Sequence, residues 1–426
     1  MSASKSRLDN GLTVILHEVH TAPVATFWVW YSVGSRHEHT GITGSSHWVE
    51  HMQFKGTKQY PADSADSEIS RTGGVWNAMT WIDWTAYYET MPANKIDLAI
   101  KLEADRMANS LYEKEDVESE RTVIISERQG SENQPIFLLS EETQAAAFRV
   151  HPYHHEVIGD KIDIESMNRS DLYKHYRTFY TPGNAIVVAV GDFETSQMSS
   201  KLETHFGKIP KVDKPRVFIR NEPQQRGERR VFVEGEGETA YLQCVYHAPA
   251  ATDPDFFPMI VLDSILSGAS SFNMFGSGIS NKTSRLYRAL ILKGLAAGFS
   301  GSLSATVDPF LYSITCAVRT DRSIEQVETA LNEEIEHAIS HAPTEEELSK
   351  AKKQARAMFA YSSESVTNLG FWYGFAEILD DYTWFTKYID KLEAVTSSDV
   401  HRVAQKILVP RNRTTGHYIP NDSKIN

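Results

Sequence analysis

The chain has 426 residues, 41% of them hydrophobic and 23% charged, with 24 glycines and 16 prolines. That length exceeds what one hydrophobic core covers comfortably, so two domains of roughly 200 residues are expected, and the ordinary composition excludes a disordered, collagenous or low-complexity chain. A net charge of -13 argues against a nucleic-acid partner, whose phosphates would repel it.

The start, "MSASKSRLDNGL", has no apolar signal core, and no run of 18 apolar residues follows, so no membrane segment is expected. "LTVILHEV" and "ATFWVWYSV" then read as strands, being rich in β-branched and aromatic residues, and "VWNAMTW" with "WTAYYET" reads as a further pair. Helices are expected over "KIDLAIKLEADRMANSLY", from about Asp116 to Gln129, and across "LSEETQAAAFRV". "SDLYKHYRTFYTPGNAIVVAVGD" gives a helix stopped before Pro182 and then a strand.

That closing unit returns. "SMNRSDLYKHYRTFYTPGN" aligns without a gap on "AVTSSDVHRVAQKILVPRN", so that Ser170 and Asp171 fall on Ser398 and Asp399, Pro182 on Pro410, and Asn184 on Asn412. Upstream, "ATFWVWYSVGS" resembles "AYLQCVYHAPA" in the same way. Local capping chemistry accounts for part of the match, but the register over some twenty residues favours duplication. The expected class is α+β: two homologous domains, 1–209 and 229–426, joined by the charged, proline-bearing linker 210–228. Cys244 and Cys316 lie in strand-like stretches of the second half, and two cysteines are too few for a disulfide framework; buried thiols are expected.

The stretch "SSHWVEHMQFKGT", residues 45–57, carries the chemistry. On a helix, residues four apart share a face, so His47 and His51 can hold one ion, with Glu50 beside them. Two imidazoles suit zinc, which in catalytic sites keeps one position open for water. A neighbouring carboxylate can act as general base on that water. This is the H-x-x-E-H order of inverted zincins. Chance alone would produce it in about one such chain in twenty-five, and a third protein ligand is still required. "ESERTVIISERQGSENQP" offers Glu120 and Glu127, seven apart and on one helix face. Either could reach the ion, and the same acids suit a solvated helix face.

"HWVEHMQFKGT", "GGVWNAMTWIDWTAYYE", "ERTVIISE", "HPYHHEVIGD" and "LYKHYRTFYTPGNAIVVAVGDF" together resemble, in order, the signature segments of the pitrilysin-like metallopeptidases, in particular the processing-peptidase-like subfamily. The resemblance spans nearly the whole chain. It implies a zinc endopeptidase acting on extended peptides in a chamber. His47, His51 and Glu127 match the family's zinc ligands, Glu50 its general base, and Glu120 a supporting acid. Asn77 and Ala78 match the "NA" of a strand that pairs with substrate backbone. "HPYHHEVIGD" matches a structural loop, and His151, His154 and His155 are expected in packing and surface roles.

One family element is missing. Its segment of the type "LRE-x-G-L-A-Y" supplies an arginine and a tyrosine that hold substrate; here the aligned positions are Ile291 and Ala297, and the nearby Arg285, Tyr287 and Arg288 belong to a different stretch. The resemblance therefore implies a heterodimer whose homologous partner carries the Arg/Tyr pair. Two alternatives are a non-catalytic scaffold or chaperone-like relative and a self-sufficient homodimeric peptidase. The Gly/Ser-rich 266–284 reads as a loop. A bacterial cytoplasmic location is expected, or the periplasm if a leader was removed.

Overall fold

The computed structural model describes residues 3–273 and 281–421. The chain divides into two compact units, Met1–Arg128 with His155–Ile219 and Ser363–Phe385, and Gln129–His154 with Arg220–Ser362 and Thr386–Asn426.

Among the described residues the first unit is built on six strands: β1 (Ser4–Arg7), β2 (Thr13–Glu18), β3 (Val24–Tyr31), β4 (Val75–Thr80), β5 (Thr85–Pro92) and β6 (Ala185–Gly191). Their order is β1-β2-β6-β3-β5-β4; β2 and β6 run parallel and the other neighbours antiparallel, leaving β4 at a free edge among the described residues. Alternation sorts the side chains of β3 to two faces. Phe27, Val29 and Tyr31 enter a core with Trp48, Val49 and Met52 of α1 (Ser45–Met52) and Ile69 of α2 (Ala62–Arg71). The same core takes Ala99 and Ile100 of α3 (Asp97–Asn109), Val117 and Ile124 of α4 (Lys114–Glu132), Ile164 of α6 (Lys161–Ser166), Leu172 of α7 (Arg169–Phe179) and Leu202 of α8 (Thr195–His205). Trp28 and Trp30 point to the opposite face, under α12 (Val366–Leu379). Gly370 and Gly374, one helical turn apart, allow the close approach. A Cβ at Gly370 would collide with Trp28 Nε1, and one at Gly374 with Trp30 Nε1.

The second unit has β7 (Arg229–Gly235), β8 (Tyr241–His247), β9 (Ala296–Leu303), β10 (Leu311–Val318) and β11 (Arg413–Pro420), in the order β7-β11-β8-β10-β9. With β7 and β11 parallel and the rest antiparallel, it repeats β2-β6-β3-β5-β4 strand for strand. Its helices are α5 (Pro135–Ala147), α9 (Phe256–Leu266), α10 (Ile324–Ser340), α11 (Glu345–Tyr361), the short α14 (Tyr388–Glu393) and α15 (Ser397–Ile407), while α13 (Thr383–Thr386) straddles the boundary between units. Cys244 and Cys316 are buried and free.

Duplication extends to single hydrogen bonds. In α7 and α15, Asn168 with Asp171 and Thr396 with Asp399 form capping boxes. After each helix an asparagine ties its last turn to the end of a strand or the residue just past it: Asn184 Nδ2 donates to Phe179 O at 2.9 Å and to Ser32 O, one residue beyond β3, at 3.4 Å. Asn412 Nδ2 donates to Ile407 O at 2.9 Å and to His247 O at 3.0 Å.

The units differ from the sequence halves 1–209 and 229–426 in one respect. Helix α12, from the second half, covers β3 and β6; α5, from the first, covers β7, β8 and β11. The physical reason is that β3 and β6 are apolar on both faces and need cover on each. No helix or strand lies within 210–228. Of the Gly/Ser-rich 266–284, residues 274–280 lie outside the described residues.

Candidate metal centre

Helix α1 is aimed by its N-terminus. Gly44 adopts φ 84°, and a Cβ there would collide with Ile158 O, so glycine is required on two counts. The first helical N–H groups lack intrahelical partners. The Glu38 carboxylate takes two of these donors, accepting Gly44 N–H at 2.8 Å and Ser46 N–H at 2.6 Å, where a negative charge also suits the helix dipole. His175 Nε2 lies 3.1 Å from Ser46 Oγ. Asp163 Oδ2 accepts Gly41 and Thr43 N–H at 2.9 and 3.0 Å, fixing the approach to the helix.

The "HPYHHEVIGD" loop abuts the same place. Gly159 sits against Thr43 and Gly44, its carbonyl accepts Arg128 Nη1 at 2.6 Å, and His155 Nε2 is 3.9 Å from Glu38 Oε2. In the second unit His151 Nε2 is 3.2 Å from Asp308 Oδ2, while its Nδ1 accepts Tyr153 N–H at 3.1 Å.

Burial of Trp48, Val49 and Met52 turns His47 and His51 to the other side of α1, their ring centroids 4.6 Å apart. Helix α4 brings Glu127 to them. Glu127 Oε2 lies 3.9 Å from His47 Nε2 and 3.6 Å from His51 Nε2, and one donor atom from each of the three residues lies within 4.8 Å of the others. Tetrahedral donors around zinc stand about 3.4 Å apart. Two imidazoles and one carboxylate at this spacing therefore fit such an ion, with a fourth position open.

Glu120, two turns before Glu127, does not face the ion position. Its Oε1 is 2.7 Å from His51 Nδ1 and its Oε2 is 2.5 Å from Lys55 Nζ. Burial opposes ionisation of Glu120, but the hydrogen bonds from His51 and Lys55 prevail and hold it below the usual carboxylate range. A proton on His51 Nδ1 leaves the Nε2 lone pair toward Glu127. His47 differs: its Nδ1 is buried without a hydrogen-bond partner among the described residues. Burial, with His51 alongside, pushes the His47 imidazole down to about 3, so it is neutral and able to ligate.

Glu50 is 9% exposed, and burial pushes its carboxyl up to about 7, against the pull of a hydrogen bond from Thr80. Thr80 Oγ1 lies 2.5 Å from Glu50 Oε2. The strand holding Thr80 is β4, which also carries Asn77 and Ala78; Asn77 Oδ1 accepts the Ala78 N–H at 2.9 Å. Asn77 joins Glu50, His51, Phe54, Lys55, Asp66 and Glu120 around a cavity of about 570 Å3. Under this wall Arg106 is buried against Glu103 and over the Tyr87 ring, 4.4 Å from its centroid. Glu38, Thr80, Arg106, Asp163 and His175 are absent from the sequence-based site. Of these only Thr80 carried a local signal, standing two residues after Ala78 and so on the same strand face.

In the second unit Ile291 ends a π-helical turn, Tyr287–Ile291, and Ala297 lies on β9. Arg285 is committed to Glu347, Nε to Oε1 and Nη2 to Oε2 at 2.8 Å each. It is not available to stand in for the missing arginine.

Two family models match the chain in succession. One described as Insulinase (Peptidase family M16) covers residues 13–161, and one described as Peptidase M16 inactive domain covers residues 166–355. The chain is 28% identical over 410 residues to mitochondrial-processing peptidase subunit beta of Lentinula edodes, covering 95% of this chain and 87% of that one. It is 28% identical over 416 residues to zinc protease PqqE of Helicobacter pylori, covering 96% and 90%. Among solved structures, a protease from Helicobacter pylori superposes with a TM-score of 0.91 at 27% identity, covering 98% and 99% of the two chains. The M16 inactive domain from Pseudomonas fluorescens, at 16% identity and a TM-score of 0.87, shares the fold. A repeated sheet with H-x-x-E-H on the first helix of one copy only, matched end to end by these proteins, places the chain in the M16 peptidase family.

Proposed function

We propose that the chain is the zinc-bearing subunit of an endopeptidase that hydrolyses extended peptides in a chamber, together with a homologous partner. The convergence of His47, His51 and Glu127 beside Glu50 carries this reading. Relatives named zinc protease support the choice of metal. Bound zinc supplies a Lewis acid that makes water acidic and polarises the scissile carbonyl.

The chain's own residues do the rest. His47 and His51 ligate as neutral imidazoles, and Glu120 orients His51. A peptide pairs with the free edge of β4 at Asn77 and Ala78, so its backbone finds hydrogen-bond partners without a sequence requirement. Glu50 takes the proton of the attacking water and returns it to the leaving amine, as suits a carboxyl raised toward neutrality. The second unit, without ligands or the Arg/Tyr pair, leaves substrate clamping to the partner. Relatives named as beta subunits of a processing peptidase favour such pairing.

Glu50→Gln tests the base. The variant is expected to keep its zinc and to lose hydrolysis of a mixed fluorogenic peptide library by at least about a thousandfold. Undiminished turnover in that variant would remove Glu50 from the mechanism.

A further inference from the structure

The geometry points to Thr80 as the positioning residue for Glu50, linking the peptide-binding edge to the base; this rests on the peptidase reading above. Thr80 has one hydroxyl proton and two oxygens in reach: Glu50 Oε2 at 2.5 Å and Thr85 Oγ1 at 3.4 Å. Thr85 spends its own proton on Val33 O, at 2.9 Å, so its oxygen can only accept. Of the two acceptors available to Thr80, the nearer is a carboxylate, and a hydroxyl donating to a carboxylate makes the shorter and stronger bond. The bond holds Oε2 and leaves Oε1 to take a proton.

The hydroxyl itself is firmly placed. Thr80 and Thr85 face each other as the closing pair of the β4–β5 hairpin, and the turn between them is tied by Trp81 N–H to Trp84 O at 2.8 Å. Thr80 is also the last residue of the strand that carries Asn77 and Ala78, and it shares a face with Ala78. A peptide that adds to this edge extends the sheet beside Thr80 and so steadies the group that holds the base. Backbone recognition and base alignment thus act through one strand.

Two variants separate the hydroxyl from its methyl neighbour. Thr80→Val keeps the shape and removes the donor; Thr80→Ser keeps the donor. In crystals of the metal-free protein, Thr80→Val is expected to show the Glu50 carboxylate displaced or split, and Thr80→Ser to show it in place. In the assembled enzyme with zinc, Thr80→Val should lower kcat about 10- to 100-fold with KM and zinc content little changed, the loss of one hydrogen bond to a charged group. Thr80→Ser should recover most of kcat, a recovery that a role in strand stability alone would not give. An unmoved Glu50 carboxylate together with wild-type kcat in Thr80→Val would overturn the assignment. If instead the unmodified enzyme shows no turnover, or Glu50→Gln retains it, the peptidase reading fails, and the crystals still decide whether Thr80 holds Glu50.

Discussion

The 2.7 Å contact between His51 Nδ1 and Glu120 Oε1 leaves that imidazole a single lone pair, on Nε2, facing Glu127. Removing the charge from such an outer partner typically weakens metal binding by about 10- to 100-fold. Glu120→Gln is therefore expected to lower zinc affinity by that factor, read by competition with a chelator, with a melting temperature close to the wild type before metal is added. Equal affinity in the two proteins would leave Glu120 with no part in orienting His51. A second residue, Asp263 on α9, gives a prediction in pH. It is buried, Tyr312 Oη donates to its Oδ1 at 3.0 Å and Ser270 Oγ to its Oδ2 at 3.1 Å, and burial pushes its carboxyl up to about 6. The folded state holds this proton more tightly than the unfolded one. The associated stability is complete below about 4 and is lost as pH rises through about 6, for a total of order 3 kcal/mol. Asp263→Asn stays neutral at every pH, so its melting temperature should gain on the wild type between pH 4.5 and pH 7.5. A constant difference across that range would show that Asp263 does not titrate there. Of the candidate centre, the i, i+4 histidines and Glu50 were legible because one helical turn brings them together. Glu127 was one of two acids that spacing alone allowed, and only resemblance separated it from Glu120. Glu38 and His175 were not legible, since their hydrogen bonds join residues that only the fold makes neighbours; Thr80 could be placed on the strand face of Ala78, but not against Glu50.

At the scale of elements, the same substitution should have opposite effects in two helices. Gly374 lies under Trp30 in α12, and a methyl group has no room between the helix and a large, fully buried ring. Overpacking of this kind costs typically about 1–3 kcal/mol, so Gly374→Ala is expected to destabilise by that amount in chemical denaturation. Gly130, in the last turns of α4, has nothing within 4 Å of a built Cβ. There alanine only reduces the freedom of the unfolded chain, and Gly130→Ala should stabilise by up to about 1 kcal/mol. Matching shifts of one sign in both variants would mean that α12 does not sit on Trp30 as described. The strands themselves were easy to read: "ATFWVWYSV" is apolar without alternation, which marks a strand buried on both faces. What covers the second face was hidden. The stretch "VTNLGFWYGFAEIL" is apolar nearly all round, so its own pattern names no partner, and α12 finds β3 across more than 300 residues of chain.

At the scale of the whole molecule, the repeat makes the asymmetry informative. The second sheet repeats five of the first sheet's six strands, both copies carry the capped helix and the bridging asparagine, and among the described residues β4 and β9 stand at corresponding edges. The repeat was legible because caps, prolines and asparagines are local signals that survive when packing residues drift. The candidate metal centre draws on one copy: α1 holds His47, Glu50 and His51, whereas the buried residues of α9 are apolar apart from Asp263 and Ser264. In the second copy Ile291 and Ala297 stand where the sequence resemblance places a substrate-holding pair, and Arg285 is bound to Glu347. A donor aimed at the developing oxyanion is typically worth about 3–4 kcal/mol, so a chain without it should turn over several hundredfold more slowly than a complete site. The expected outcome is weak hydrolysis by the purified zinc-loaded chain, rising by about two to three orders of magnitude as a homologous chain bearing both residues is titrated in. The rise should saturate at one partner per chain, with a matching 1:1 species in sedimentation. Arginine and tyrosine variants of that partner should bind equally well and fail to activate, which separates clamping of substrate from assembly. Full activity of the isolated chain, indifferent to the added partner, would assign the oxyanion donor to this chain and end the case for a second subunit.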